Sequence, residues 1–427
     1  MLRFSTRIPF SPAAVRAYHE SPGAFLRLVP PWDNVKIISQ TGAVAEGDTL
    51  VLKVSKWAHT HRFVADSEHG ADGSRCIIHD EVDYAPALAS FMIDRRMAKM
   101  FAWRRERIIN DLSRQVGKPM LRVLLAGASG LIGTQLAAFL RTGGNEVVQL
   151  VRRAAGDGQI AWNPGQGQLE ASALEGFDAV ISLSGENVGE GRWTAARKEA
   201  LLQSRLGPTA LLARTIAQLS RPPKVWIAAS AVGIYGDRGD EPVDEHSAAG
   251  TGFLADLCQR WEDATDTVDT VRVVKARLGV VLSARGGALR KLSNATRWCV
   301  GGPVGNGQQY FPWIAMDDAV YAMHHLLFEE TLRGPVNLVA PNAPRQIEFA
   351  RALGAALSRP AFTPLPAFAV SLLFGEMGRE LLLGGQNVVP TALSRAFTFS
   401  RPTLPDVLRA ELGTGVVPAP QDESVDS

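Results

Sequence analysis

The sequence predicts an α/β fold, a doubly wound parallel sheet with a small C-terminal region, preceded by a separate α+β domain. Three observations carry this. Beyond about residue 120, buried apolar runs alternate with amphipathic helical runs, the pattern of a parallel sheet covered on both faces. Before it, short runs alternate apolar and polar residues between Gly, Asn and Asp turns, the pattern of antiparallel strands. Between strand and helix at residues 127–133, three glycines recur at a fixed spacing.

In chain order, "MLRFSTRIPF" reads as a strand and "SPAAVRAYHE" as a short helix with Ser11 as N-cap and Pro12 in its first turn. "VKIISQTG", "DTLVLKVSKW", "THRFVADSE" and "SRCIIHDEVDY" read as strands. "FMIDRRMAKMFAWRRERIINDLSRQV" is a long helix, with Ile93, Met97, Met100, Phe101, Ile108 and Leu112 near one stripe. Six of its basic residues, Arg95, Arg96, Lys99, Arg104, Arg105 and Arg107, are interspersed with Asp94, Glu106 and Asp111. That mixture predicts a solvated face rather than a nucleic-acid surface. His59 and His61 share a strand face, but two histidines without further ligands predict no metal site. "RQVGKPM" links the two halves. This places one domain at 1–118, a second at 119–340, a C-terminal segment at 341–413, and a polar, acidic tail at 414–427 expected to be disordered.

Charge excludes little but points away from polyanions: 45 Lys and Arg nearly balance 43 Asp and Glu. Cys76, Cys258 and Cys299 are too scattered for a disulfide framework or a metal site. The start lacks a long apolar segment of the secretory kind, so a reducing cytoplasm is the expected location. The stretch Val123–Leu140 has the length and apolarity of a membrane span. Its glycines and the strand that follows argue for a strand joined to a helix instead.

In that context Gly127-Ala128-Ser129-Gly130-Leu131-Ile132-Gly133 predicts a dinucleotide site. Gly127 permits the turn out of the strand, Gly130 lets backbone approach a pyrophosphate, and Gly133 lets helix pack on sheet. The amides at the helix start then meet the phosphates. The next strand ends in Arg152 and Arg153, where an acidic residue would take the ribose hydroxyls of NAD. A guanidinium pair suits a 2′-phosphate, so the expected cofactor is NADP(H). Leu183, Ser184 and Gly185 are small enough to lie against it, and Arg205 is a candidate to reach its phosphates.

The G-x-x-G-x-x-G spacing resembles that of the extended short-chain dehydrogenase/reductases, Rossmann-like proteins. "AWNPGQGQLEASALEGFDAVISLSGENVGEGRWTAARKEALLQSR", "AASAVGIYGDRGDEPVDE", "GFLADLCQRWE", "RLGVVLSARGGAL" and "GGPVGNGQQYFPWIAMDDA" are similar to the atypical members called sugar-nucleotide epimerase-like. "NLVAPNAPRQIEFARALGAALSRPAFTPLPAF" and "LLLGGQNVVP" look like their C-terminal segment, and Trp313 and Asp317 like their W-I-x-x-x-D signature. The likeness spans about 121–412. The element order of the first domain resembles the START-like helix-grip superfamily, which implies a cavity for a hydrophobic ligand.

Active short-chain reductases pair a Tyr with a Lys four residues on; the Tyr passes the proton that accompanies hydride transfer. Here Phe253 and Leu257 stand at those places. Nearby candidates are Ser230, to bind a substrate oxygen, and Tyr235, to donate a proton, with Asp237 and Glu245 as possible bases or loop residues. The sequence thus predicts an NADP(H)-dependent, epimerase-like oxidoreductase acting on a small molecule. Its alternatives are an NADP(H)-binding sensor or scaffold without chemistry, and a lipid carrier.

Overall fold

In the computed structural model the described residues are 2–33, 37–41, 49–54, 57–66, 74–84 and 90–414. The chain divides into two compact units. One holds Met1–Pro119 with Ala138–Gly144 and the segment from Ala410 on; the other holds Met120–Ala137 and Asn145–Arg409. The tail expected to be disordered lies outside the described residues from 415 onward.

The first unit contains β1 (Leu2–Ile8), α1 (Pro12–Glu20), α2 (Ala24–Leu28), β2 (Ile37–Thr41), β3 (Thr49–Val54), β4 (Trp57–Ala65), β5 (Cys76–Tyr84) and α3 (Ser90–Gln115). Its strands form an antiparallel sheet in the order β1-β5-β4-β3-β2. Ser11 caps α1, accepting a hydrogen bond from Ala14 N, with Pro12 in the first turn. Val15, Tyr18, Phe63, Ile78, Ile108 and Leu112 meet in one core, so the apolar stripe of α3 faces inward as its periodicity requires. Inside lies a buried ion pair: Arg27 Nη2 donates to Asp111 Oδ1 at 2.6 Å, and Tyr18 donates to Asp111 Oδ2 at 2.8 Å.

The basic face of α3 is less uniform than expected. Arg95 and Arg96 are exposed, but Arg104 donates to Leu28 O at 2.9 Å and Arg107 is buried over the Trp103 ring. His61 is buried against Asp80 at 2.5 Å; the side chain of His59 lies outside the described residues. Burial pushes the neighbouring His19 down to about 3.

The second unit opens with β6 (Arg122–Ala126), α4 (Leu131–Thr142), β7 (Glu146–Val151), β8 (Gln159–Ala161), β9 (Ala179–Ser182), α5 (Ala195–Ile216), β10 (Val225–Ala231), β11 (Pro242–Val243), α6 (Phe253–Asp263) and β12 (Arg272–Leu278). It continues with β13 (Val280–Leu282), α7 (Gly287–Arg297), β14 (Trp313–Ala315), α8 (Met316–Phe328), β15 (Gly334–Leu338), α9 (Gln346–Leu357), α10 (Ala367–Gly378), β16 (Asn387–Val388) and α11 (Leu404–Leu412), whose end passes into the first unit. Seven strands make one parallel sheet, β15-β12-β10-β9-β6-β7-β8. The strand order reverses direction beside β6, the place where doubly wound sheets open a crevice at their carboxyl edge.

The stretch that could have spanned a membrane is β6, a turn and α4. No helix among the described residues is long and apolar enough to cross one. The apolar run "VRVVKARLGVVLS" breaks at Gly279. A Cβ there would stand 2.8 Å from Val339 Cγ1 and 3.0 Å from Pro312 O. β12 therefore stays in the main sheet while β13 leaves it to pair with β14.

Candidate functional site

The glycine turn is built mainly by exclusion of side chains. Gly127 has φ +81°, and a Cβ there would stand 2.7 Å from Leu183 C. A Cβ on Gly133 would stand 2.2 Å from Gly127 O, so α4 can start this close to β6 only with glycine. Gly130 is different. It is exposed, and the sole protein atom within 4 Å of a Cβ would be Gly127 O, at 3.3 Å. Gly130 N–H donates to Gly127 O at 3.0 Å, and Thr134 Oγ1 donates to Ala128 O and Gly130 O. Ala128 is buried under the turn, Ser129 is exposed, and Leu131 and Ile132 open the helix. Its first amides lack intrahelical acceptors, which makes the turn an anion-binding end.

Arg152 and Arg153 follow β7 directly and are exposed; neither guanidinium pairs with a described acidic side chain. Leu183, Ser184 and Gly185 follow β9, with Leu183 N–H donating to Ala126 O at 2.9 Å, so this loop lies beside the glycine turn. Arg205 is engaged by its own helix and the adjoining loop. It is buried, donates to Leu201 O at 3.1 Å and Glu186 O at 2.8 Å, and lies 5.1 Å from the Trp261 ring centroid. A Cβ on Gly185 would stand 3.0 Å from its Cζ. Burial lowers the pKa of Arg205. Its present work is to hold the 185–186 loop.

Ser230 and Tyr235 are brought together through residues the sequence reading had not singled out. Ser230, Arg277 and Asn337 are register partners on β10, β12 and β15, so they share a face at the carboxyl edge. Ser230 Oγ donates to Glu262 Oε1 at 2.6 Å. Glu262 takes a two-pronged ion pair from Arg277, at 2.8 and 2.9 Å. Arg277 Nη1 also donates to the Tyr235 hydroxyl at 2.9 Å, and that hydroxyl donates to Asn337 Oδ1 at 2.7 Å. All five are buried. Burial opposes the charge on Arg277, but hydrogen bonds and charge from Glu262 outweigh it and raise its pKa. Burial raises Tyr235, against the pull of Arg277. A sequence signal existed: Lys275 and Arg277 interrupt an otherwise apolar strand, and a charge there needs a partner.

Glu245 is buried too. Its Oε1 accepts from Asn337 N at 3.0 Å and Ala392 N at 3.3 Å, while Oε2 has no hydrogen-bond partner. Asp237 Oδ1 accepts from Gly239 N and Gly385 N, so it shapes a loop. Trp313 is buried, and Asp318, next to Asp317, anchors the chain by accepting from Ser400 N, Ser400 Oγ and Arg401 N.

Phe253 is the first residue of α6, and Leu257 is buried one turn on. Glu380 caps this helix, accepting from Phe253 N and Leu254 N, each at 2.9 Å. Trp193 meets Phe253 edge-on at 5.0 Å.

A parallel doubly wound sheet with a side-chain-free turn between β6 and α4 at its crevice defines a Rossmann-like dinucleotide-binding protein. Residues 123–338 match the NAD dependent epimerase/dehydratase family, and residues 365–411 match a domain of unknown function, DUF1731. The chain belongs to that epimerase family. It is 43% identical over 290 residues to the epimerase family protein Mb2239 of Mycobacterium bovis, covering 67% of this chain and 96% of that one. It is 38% identical over 294 residues to the human epimerase family protein SDR39U1, covering 68% and 99%. Among solved structures, a nucleoside-diphosphate sugar epimerase from Corynebacterium glutamicum aligns over 97% of this chain and 90% of its own, with 30% identity and a TM-score of 0.79. The human SDR39U1 structure with NADPH aligns over 69% and 99%, with 36% identity and a TM-score of 0.64.

Proposed function

We propose that the second unit binds NADP(H) and acts as an epimerase-like oxidoreductase on a small molecule. The observation that carries this is Gly130. The fold requires glycine at 127 and 133, but at 130 only Gly127 O comes near a Cβ, so glycine there serves an approaching ligand. The amides from Ala128 to Gly133 would take the pyrophosphate, and Arg152 and Arg153 the 2′-phosphate. Leu183, Ser184 and Gly185 would lie along the nicotinamide half, on a loop held by Arg205. The relative crystallised with NADPH supports the choice of cofactor. NADPH, when bound, supplies a hydride to a carbonyl.

For Ser230 and Tyr235 we propose a positioning role. Their hydroxyls are engaged by Glu262, Arg277 and Asn337, which supports holding the carboxyl edge rigid rather than exchanging a proton. Residues 119–340 are then the cofactor domain and 341–413 the substrate side. The antiparallel sheet and long α3 support a helix-grip reading of residues 1–118, with a hydrophobic small molecule as ligand. A cytoplasmic location fits the free thiols of Cys76, Cys258 and Cys299.

Titration calorimetry tests the reading. NADPH is expected to bind at least about tenfold tighter than NADH. Absence of heat with millimolar NADPH would overturn it. A second reading, NADP(H) binding without chemistry, is favoured by Phe253 and Leu257; it predicts binding with no turnover against any carbonyl.

A further inference from the structure

At the N-terminal ends of α5 and α6 lies a charged pair that neither the glycine turn nor the polar row uses. α5 and α6 run side by side in the same direction. Lys198 lies beside Phe253 in their first turns, and Arg205 beside Trp261 about two turns further along each. Both helices follow strands of the parallel sheet, so their N-terminal ends lie at the carboxyl edge, where ligands bind in such folds. The position where related reductases carry their proton-exchanging Tyr is an apolar ring here. The Lys198 ammonium stands 5.0 Å from the centroid of that ring. It is held from the C-terminal segment by Glu376, at 2.6 Å to Oε1 and 2.5 Å to Oε2. Arg192 Nη2 donates to Leu372 O at 3.0 Å, fixing the same stretch a turn earlier. Lys198 and Glu376 keep 29% and 33% of their side-chain exposure, so protons can be exchanged with water.

We infer that Lys198, oriented by Glu376, is the proton donor of hydride transfer in this protein, replacing the missing Tyr–Lys pair. The inference rests on the NADP(H) reading above. NADPH, when bound, gives a hydride with its electron pair to the carbonyl carbon and is thereby oxidised to NADP⁺. The carbonyl π pair moves onto oxygen, and Lys198 gives that oxygen one N–H proton, completing reduction to an alcohol. The amine is left neutral and regains its proton from solvent. Phe253 supplies an apolar wall and a cation–π contact that keep the ammonium in place. Glu376 touches no reacting atom; it is a positioning residue.

The test measures three quantities on the full chain: NADPH affinity by calorimetry, NADPH oxidation with phenanthrenequinone and benzaldehyde as carbonyl probes, and the titration of Lys198 by competitive acetic anhydride labelling read by peptide mass spectrometry. Lys198→Met and Lys198→Arg are expected to bind NADPH within about threefold of wild type. Both are expected to lose at least about a hundredfold in turnover, since arginine keeps the charge but not a releasable proton. Glu376→Gln removes the ion pair that orients the ammonium; it is expected to change the acetic anhydride labelling of Lys198 and to lower turnover at least about tenfold, with NADPH affinity within about threefold of wild type. Three results would each overturn the assignment: turnover within about threefold of wild type in either Lys198 variant, wild-type turnover in a Glu376→Gln protein whose Lys198 labelling has changed, or NADPH binding with no turnover of either probe by wild type. Failure of wild type to bind NADPH would instead strike the cofactor reading.

Discussion

The glycine turn at 127–133 and the polar row of Ser230, Arg277 and Asn337 lie at the same edge of one parallel sheet, yet they are made in opposite ways. The turn is seven consecutive residues with glycine at 127, 130 and 133, where a Cβ would meet backbone or crowd the approach, and it ends on the first amides of α4, which lack intrahelical acceptors. The row gathers side chains from residues 230 to 337 and turns them on one another until every prominent charge has a partner. Open backbone donors at the turn suit a ligand; the row's side chains are engaged with one another across three strands. This contrast supports the proposal of the cofactor at the turn and of the row as a frame for the neighbouring strand ends.

The contrast breaks first, and hardest, at Glu262. Glu262→Leu would strand the Arg277 guanidinium in a buried place, where losing one partner of an ion pair costs about 3–5 kcal/mol. Urea denaturation should show that loss, while NADPH affinity in whatever protein remains folded should stay near wild type. A variant that unfolds at the wild-type midpoint would mean the row is not a frame. Next come the two kinds of glycine. Gly133→Ala forces a Cβ toward Gly127 O and should cost about 1–3 kcal/mol of stability as overpacking. Gly130→Ala should cost less than about 1 kcal/mol, because it meets a single atom at 3.3 Å. Its affinity for NADPH should nevertheless fall by about tenfold or more. Equal effects of the two substitutions on stability would remove the argument that residue 130 is glycine for a ligand. Smaller again, Arg152→Ala with Arg153→Ala should weaken NADPH by about tenfold to a hundredfold and NADH by under about threefold, measured by calorimetry.

The same contrast explains what could be read in the sequence. The turn was legible because one local rule, strand then spaced glycines then helix, fixes its shape. So were the parallel sheet and the break from antiparallel to parallel organisation, since periodicity is a local property. The row was not. Ser230 and Tyr235 could be seen as polar residues after a strand, but Asn337, the partner of Tyr235, lies over a hundred positions further on, and pairing across strands follows from sheet order. Arg205 could not be decided for the same reason. A helix arginine facing a phosphate and one facing a carbonyl have the same sequence context; only the position of Glu186 O decides. The break at Gly279 was invisible because the atoms that forbid a Cβ there, the Val339 side chain and the Pro312 carbonyl, come from distant positions.

The smallest expected effect tests Tyr235 itself. Tyr235→Phe removes one donor and one acceptor from a buried pair of hydrogen bonds, leaving Arg277 with Glu262 and Asn337 with its bond to Val389 O. A loss of about 1–2 kcal/mol is expected, with NADPH affinity unchanged. A pH dependence sharpens the test. Burial raises the phenol in the folded protein above its ordinary value of 10.0, so on titration the unfolded chain gives up its proton first. The folded state then binds more protons than the unfolded one, and stability must fall as pH climbs past that ordinary value. Tyr18, raised by burial in the first unit, contributes in the same direction, so the quantity to compare is the difference between wild type and variant. The stability gap between them should be full at neutral pH and narrow above about pH 10. A gap that holds constant across that range would place the Tyr235 hydroxyl in contact with water, and would reopen it as a proton donor.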